Sequence, residues 1–212
     1  MALIIPGILT DKEEEYKSRL QKADHAAPLI QIDLVDGKFA NSTTVGAGVI
    51  KKYPTKNPLE IQLMVVDPIN YIDDLSKLEF VTKIIFPYEI DGDVLEVAYL
   101  IRRLGKSVGL SLNPTTPVQD VLHYFDDIDM LLLMTGNPGF SGQKLGTETY
   151  QRIKDAKKIN DSLPVEIDIG VNFKNAKKLA DAGADFLVSS SALYNEPDFS
   201  VAYEKMQKIV NN

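Results

Sequence analysis

The 212-residue chain carries 30 acidic and 23 basic side chains, a formal net charge of −7. This balance excludes a protein that works by neutralising long runs of nucleic-acid phosphate. No apolar run is long enough to span a bilayer, and the absence of cysteine excludes disulfides and thiolate metal sites. The first ten residues lack a charged stretch followed by a long apolar core, so the expected location is the cytoplasm, where the chain is made.

Short apolar runs alternate with amphipathic stretches along the whole chain, roughly 25 residues per pair. The runs predict strands at residues 3–5, 29–34, 59–65, 82–86, 107–112, 130–134, 165–169 and 186–188. Helical patterns follow at 11–23, 68–78, 94–104, 117–125, 147–159, 172–182 and 198–210. Pro68 behind Asp67, Pro117 behind Thr116, and Asn172 are start signals, and Gly105 and Gly183 stand where helices should stop. Eight βα units with right-handed crossovers predict an α/β fold, a parallel (β/α)₈ TIM barrel occupying residues 1–212 as a single domain; an open doubly wound sheet is the alternative.

Strands covered on both faces should be apolar throughout, so a polar residue inside one needs a reason. The period of two sets Gln31 and Asp33 opposite Ile30, Ile32 and Leu34. It likewise sets Gln62 and Met64 opposite Leu59, Ile61 and Leu63, and Asp168 beside Glu166 against Ile167 and Ile169. With the apolar faces on the helices, Gln31, Asp33, Gln62 and Asp168 point into the barrel near the strand ends where barrel active sites lie. Two converging carboxylates are what a two-base proton transfer needs. The plain alternative is that each acid is a structural group hydrogen-bonded to a neighbouring strand, but unpaired buried charge costs several kcal/mol, and four such groups on three strands favour a site.

The segments Ile5-Pro6-Gly7-Ile8-Leu9, Ile32-Asp33-Leu34-Val35-Asp36-Gly37-Lys38-Phe39, Gln62-Leu63-Met64, Leu112-Asn113-Pro114-Thr115-Thr116-Pro117, 134–143 (MTGNPGFSGQ) and 166–171 (EIDIGV) fall in one order and spacing. In that order the chain resembles the ribulose-phosphate 3-epimerase family along nearly its whole length. The resemblance implies a barrel that epimerises a ketose phosphate at C3 through an enediolate, with Asp33 and Asp168 as the acid/base pair. It also implies Met64 and Met134 as an apolar cap over the reacting centre.

The family usually adds a divalent metal held by both aspartates and two histidines, and here those histidine positions are Gln31 and Gln62. The chain's two histidines, His25 and His123, precede strand 2 and lie in a helical pattern, so neither replaces them. A zinc site built on imidazole is not expected; only Asp33 and Asp168 of the metal set are retained, and the oxygens left would suit a weakly bound Mg²⁺ or Mn²⁺ better. The family's serine near the end of strand 1 is Gly7, a histidine common at the end of strand 4 is Pro87, and its double glycine after the strand 7 aspartate is Ile169-Gly170.

Barrels of this kind often bind phosphate with the loops after strands 7 and 8. Gly170 opens the first such loop, and Ser190 and Ser191 match a Gly-Ser pair of the family in the second. A mere helix cap is the plainer reading of those serines. The stretch 137–143, with Asn137, Gly139 and Gly142, reads as a loop after strand 6 that closes over the ligand and excludes water. An ordinary βα turn is the alternative.

The expected partner is a phosphorylated ketose, in a homo-oligomer, with no nucleic acid and no membrane. The competing reading is a catalytically silent relative that binds a sugar phosphate or a protein. The missing histidine pair separates the two, because an enediolate without a metal needs another positive or donating group. Lys144 is a candidate for that, though a solvated lysine is the simpler assignment. A decarboxylase or aldolase would want a lysine at a strand end among the acids, and Lys38 lies outside its strand.

Overall fold

The protein is described from a computed structural model covering residues 1–212. Eight parallel strands close into a barrel in chain order, β1 pairing with both β2 and β8. They are β1 (Leu3–Ile8), β2 (Ile30–Val35), β3 (Leu59–Met64), β4 (Val81–Pro87), β5 (Ser107–Leu112), β6 (Met130–Met134), β7 (Val165–Asp168) and β8 (Phe186–Ser189). All eight strands predicted from the apolar runs are present, and closure removes the open-sheet alternative.

The helices are α1 (Glu13–Ala26), α2 (Ala47–Lys52), α3 (Ile69–Ser76), α4 (Val94–Arg103), α5 (Thr149–Ile159), α6 (Ala176–Asp181), α7 (Ser191–Tyr194) and α8 (Phe199–Asn211). Three details differ from the sequence reading. The helix predicted at 172–182 with Asn172 as its start begins only at Ala176, behind Asn175, whose side chain accepts from Asn172 N. The segment predicted as a helix at 117–125 is a helix of the tighter 3-10 type, Val118–Tyr124, entered from Pro117 and followed at once by a turn. The short helices α2 and α7 give no readable period; six and four residues are too few to show one. Gly105 and Gly183 end α4 and α6 with positive φ, +77° and +113°. No helix is long and apolar enough to cross a membrane.

The outward strand residues, such as Ile32, Ile61, Leu133 and Ile167, pack with the helices into one large core. A second, smaller cluster fills the barrel interior on the side of β4 and β6: Ile85, Met130, Leu132 and Met134, with Val35, Met64 and Ile169. Gly109 on β5 permits this filling, since a Cβ there would stand 2.7 Å from Ile85 Cγ1 and 3.1 Å from Met130 Cε. The remaining interior, lined by β2, β3 and β7, is polar. That asymmetry places the site.

Candidate active site

Register brings the polar residues together: Asp33 on β2 pairs with Gln62 on β3, and Gln31 with Glu60. The four side chains Gln31, Asp33, Gln62 and Asp168 are all buried, the two acids at 5% and 7% exposure. The end of β2 is pinned by Thr44, whose hydroxyl donates to Asp33 O at 2.8 Å and accepts from Val35 N at 2.9 Å. Asp36 ties the following turn to β3, accepting from Lys38 N, Phe39 N and Val66 N, with Gly37 at φ +77° supplying the reversal. That explains the Asp36-Gly37 pair physically.

The amides and acids form one closed cluster. One orientation has Gln31 Nε2 donating to Asp33 Oδ1 and to Gln62 Oε1, each at 2.8 Å, which leaves Oε1 against carboxylate oxygens. Turning Gln62 lets its nitrogen donate to Asp33 Oδ1 at 3.0 Å and Asp168 Oδ2 at 2.9 Å, and then Gln31 must present its oxygen, which falls against Asp33 Oδ1. Each clash-free choice therefore sets an oxygen against a carboxyl oxygen, a contact closed only by a proton on one of the acids. Burial and the charge of Asp168 push the Asp33 carboxyl well above the usual carboxylate range. Burial likewise raises Asp168 to about 6, against the lowering effect of the Ile169 N–H bond and the two amides. The hydrogen-bond geometry is satisfied by one protonated and one ionised carboxyl bridged by the Gln62 amide, and the upward shift of both acids agrees with it.

A second polar tier lies beneath. Glu60 and Glu166, each two residues before a site residue on the same inward face, are fully buried. Lys83 from β4 reaches Glu60 at 2.7 Å and Glu166 at 4.0 Å, and its ammonium stands 4.9 Å from the centroid of the Phe186 ring. Burial alone would lower the lysine, but the two glutamates outweigh it and hold it above its ordinary value. Sequence reasoning placed Glu166 beside Asp168 and missed Glu60 and Lys83 as its partners. The period of two on β3 and β4 was the signal that could have found them.

Above the acids opens a cavity of about 170 Å³. Asp33, Asp168, Gly7, Met64, Gly170, Ser190 and Ser191 line it, together with Gly139 and Gly142 from the loop after β6. Its wall also contains Leu9, Phe140, Ser141, Gln143, Ile169 and Asn172, which the sequence reading did not single out as site residues. Gln31 and Gln62 lie behind the acids, and Met134 and Asn137 are not part of the wall. Met134 is buried in the apolar filling, and the backbone of Asn137 is tied to the Gln143 side chain, its N–H donating at 3.0 Å and its carbonyl accepting at 2.7 Å. Lys144 and Lys38 are exposed and outside the wall, as are His25 and His123. No basic side chain lines the cavity, but the Ser190 hydroxyl is buried there without a partner. That hydroxyl at the β7–β8 end keeps its hydrogen-bonding capacity unused.

The residues do not fit the divalent ion of the resembled family. Both imidazoles are replaced by neutral amides, and no three His, Cys, Asp or Glu side chains are grouped so that they could hold a metal ion. The 2.8–3.0 Å contacts between amides and acids are satisfied by N–H donors and one proton, so the atoms facing the acids are not the set of lone pairs a divalent ion needs.

The class is set first by the backbone. The fold is that of 3-hexulose-6-phosphate synthase from Salmonella typhimurium, with a TM-score of 0.73 at 17% identity over 99% of this chain and 98% of that one. A sequence profile of the Ribulose-phosphate 3 epimerase family matches residues 3–194. The chain is 33% identical to ribulose-phosphate 3-epimerase of Bacillus subtilis (strain 168), covering 98% of this chain and 99% of that protein. It is 30% identical to ribulose-phosphate 3-epimerase of Escherichia coli (strain K12), with 97% and 94% covered. The protein belongs to the ribulose-phosphate 3-epimerase family.

Proposed function

We propose that the protein is a ketose-phosphate 3-epimerase of the ribulose 5-phosphate/xylulose 5-phosphate type, working by proton transfer between Asp33 and Asp168. The observation that carries this reading is the closed cluster: two buried acids border one cavity, and the contacts with their amide partners are satisfied when one acid is protonated and the other is not. The ionised carboxylate takes the proton from C3; the C–H pair forms the C2–C3 double bond, and the carbonyl pair moves onto the C2 oxygen. The protonated acid then delivers its proton to the opposite face of C3 as the electrons return. The products are the epimer and the same pair of acids with the proton exchanged, so no external acid or base is consumed.

Phosphate recognition is assigned to the loops after β7 and β8. Ser190 offers its unpartnered hydroxyl, and Gly170 and Ser191 border the same end of the cavity. The loop at 137–143 closes the other side, braced by Gln143, whose amide donates to Asn137 O and Phe140 O. The test is incubation with ribulose 5-phosphate in D₂O, following the C3 proton by NMR. Exchange lost in Asp33→Asn and in Asp168→Asn supports the reading; no exchange on any pentulose or hexulose phosphate replaces it with a silent binding protein.

A further inference from the structure

We infer that this barrel works without a divalent cation, the Gln31–Gln62 amides and one shared proton filling the place between Asp33 and Asp168, with the Lys83 ammonium supplying positive charge from the tier beneath. The inference stands on the geometry of the cluster, and only its mechanistic consequence rests on the epimerase reading. Mg²⁺ and Mn²⁺ require ligand oxygens at about 2.0–2.2 Å in a near-octahedral array, with every inward atom a lone-pair donor. Here the inward atoms alternate donor with acceptor. Turning both amides oxygen-inward to suit an ion would set Gln31 and Gln62 oxygens 2.8 Å apart and both against Asp33.

Charge points the same way. Four buried acids, Asp33, Asp168, Glu60 and Glu166, would attract a cation strongly, yet the barrel already holds one. Lys83 is mostly buried, 2.7 Å from Glu60, whose strand also carries Gln62, and its charge opposes a second cation entering the same interior. Gln62 becomes a positioning residue that spaces the two acids through its amide, in the place where relatives of the resembled pattern have an imidazole.

Cation binding is measured directly, independent of turnover, by titrating the purified protein with Mn²⁺ and following free Mn²⁺ by electron paramagnetic resonance. Wild type is expected to bind no Mn²⁺ tighter than about 1 mM, the weak end of protein cation sites. The Gln31→His/Gln62→His variant is expected to bind at least about 100-fold more tightly. Metal analysis of the wild type as isolated should find no stoichiometric divalent ion, and any C3 exchange activity should survive chelation. One Mn²⁺ per wild-type chain at micromolar affinity, removed by Asp33→Asn, overturns the inference even if the histidine variant fails to fold. An absence of exchange activity would count against the epimerase reading alone and leave the cation titration decisive for this one.

Discussion

The backbone N–H of Ile169 donates to Oδ1 of Asp168 at 2.7 Å, and it does so from a left-handed conformation with φ +76°, the only non-glycine residue in the protein held there. A β-branched side chain in that region carries strain on the order of 1–3 kcal/mol. The strain is held in place by packing. The Ile169 side chain is buried among Met64, Met134 and Val35, while its carbonyl accepts from the Thr135 hydroxyl at 2.6 Å. The sequence pattern of the family expects a glycine here, so the chain trades backbone ease for an apolar wall beside the acid.

A comparison of two variants isolates that strain. At an ordinary buried position glycine is less stable than alanine by about 0.5–1 kcal/mol. At position 169 the order should reverse, with Ile169→Gly more stable than Ile169→Ala by about 1 kcal/mol, because alanine keeps the φ penalty and glycine does not. Urea denaturation of both variants reads this directly; alanine above glycine would mean that φ is relaxed in solution.

The raised Asp168 carboxyl makes a statement about stability. Its value moves from 3.8 to about 6 on folding, so the folded state holds the proton more tightly than the unfolded one. For such an acid the stabilising contribution is complete below about pH 4 and is lost as pH rises to about 6. Asp168→Asn removes this loss. At roughly 1.4 kcal/mol per unit, the variant should gain up to about 3 kcal/mol over wild type at pH 8 relative to the difference between the two at pH 4. A difference independent of pH, measured by denaturant unfolding across that window, would show that Asp168 titrates normally.

Much of this was legible in the residues themselves. Asp33, Gln31, Gln62 and Asp168 stood out because a period of two separated them from isoleucines and leucines, and that period follows from strand geometry alone. Less legible were relations between strands. The period of two puts Glu60 and Lys83 on the inward faces of β3 and β4, but their pairing is set by the β3–β4 register. The 3-10 segment after β5 has the apolar spacing of a helix, and that spacing does not separate a 3-10 turn from an α-helix over seven residues. Asn137 sits within a recognisable loop motif, but its backbone is engaged by Gln143, a contact set by loop shape.

The Lys83 tier gives a prediction of its own. Removing one partner of a buried ion pair leaves an uncompensated charge, which typically costs about 3–5 kcal/mol. Lys83→Met should destabilise the barrel by that order at neutral pH, since Glu60 is fully buried and loses its cation. The loss should shrink as pH falls, since burial and the neighbouring Glu60 hold the Glu166 carboxyl well above the usual carboxylate range. Replacing all three with apolar residues, Lys83→Met with Glu60→Leu and Glu166→Leu, should recover most of the stability. Thermal unfolding of the single and triple variants at two pH values separates charge from packing; equal losses in both would assign the role of Lys83 to volume.

The loop over the cavity is fastened at one point that can be cut. The Ser42 hydroxyl donates to Gly139 O at 2.8 Å, joining the β2 loop to the β6 loop across the cavity mouth. Gly139 has φ +81°, and a Cβ there would lie 2.9 Å from Ala40 Cβ and closer still to Ser42 Oγ. Gly139→Ala must therefore move the loop outward. Closure then loses on the order of 1–2 kcal/mol, equivalent to about 5- to 30-fold in KM for the phosphorylated substrate. Ser42→Ala removes only the hydrogen bond, worth about 0.5–1.5 kcal/mol, and should raise KM by a few-fold. Global stability should change little in Ser42→Ala, because the contact joins two surface loops and leaves the core untouched. Steady-state kinetics of both variants, with urea midpoints as control, give the answer. If KM is unchanged in Gly139→Ala, the contact between the loops plays no part in holding substrate.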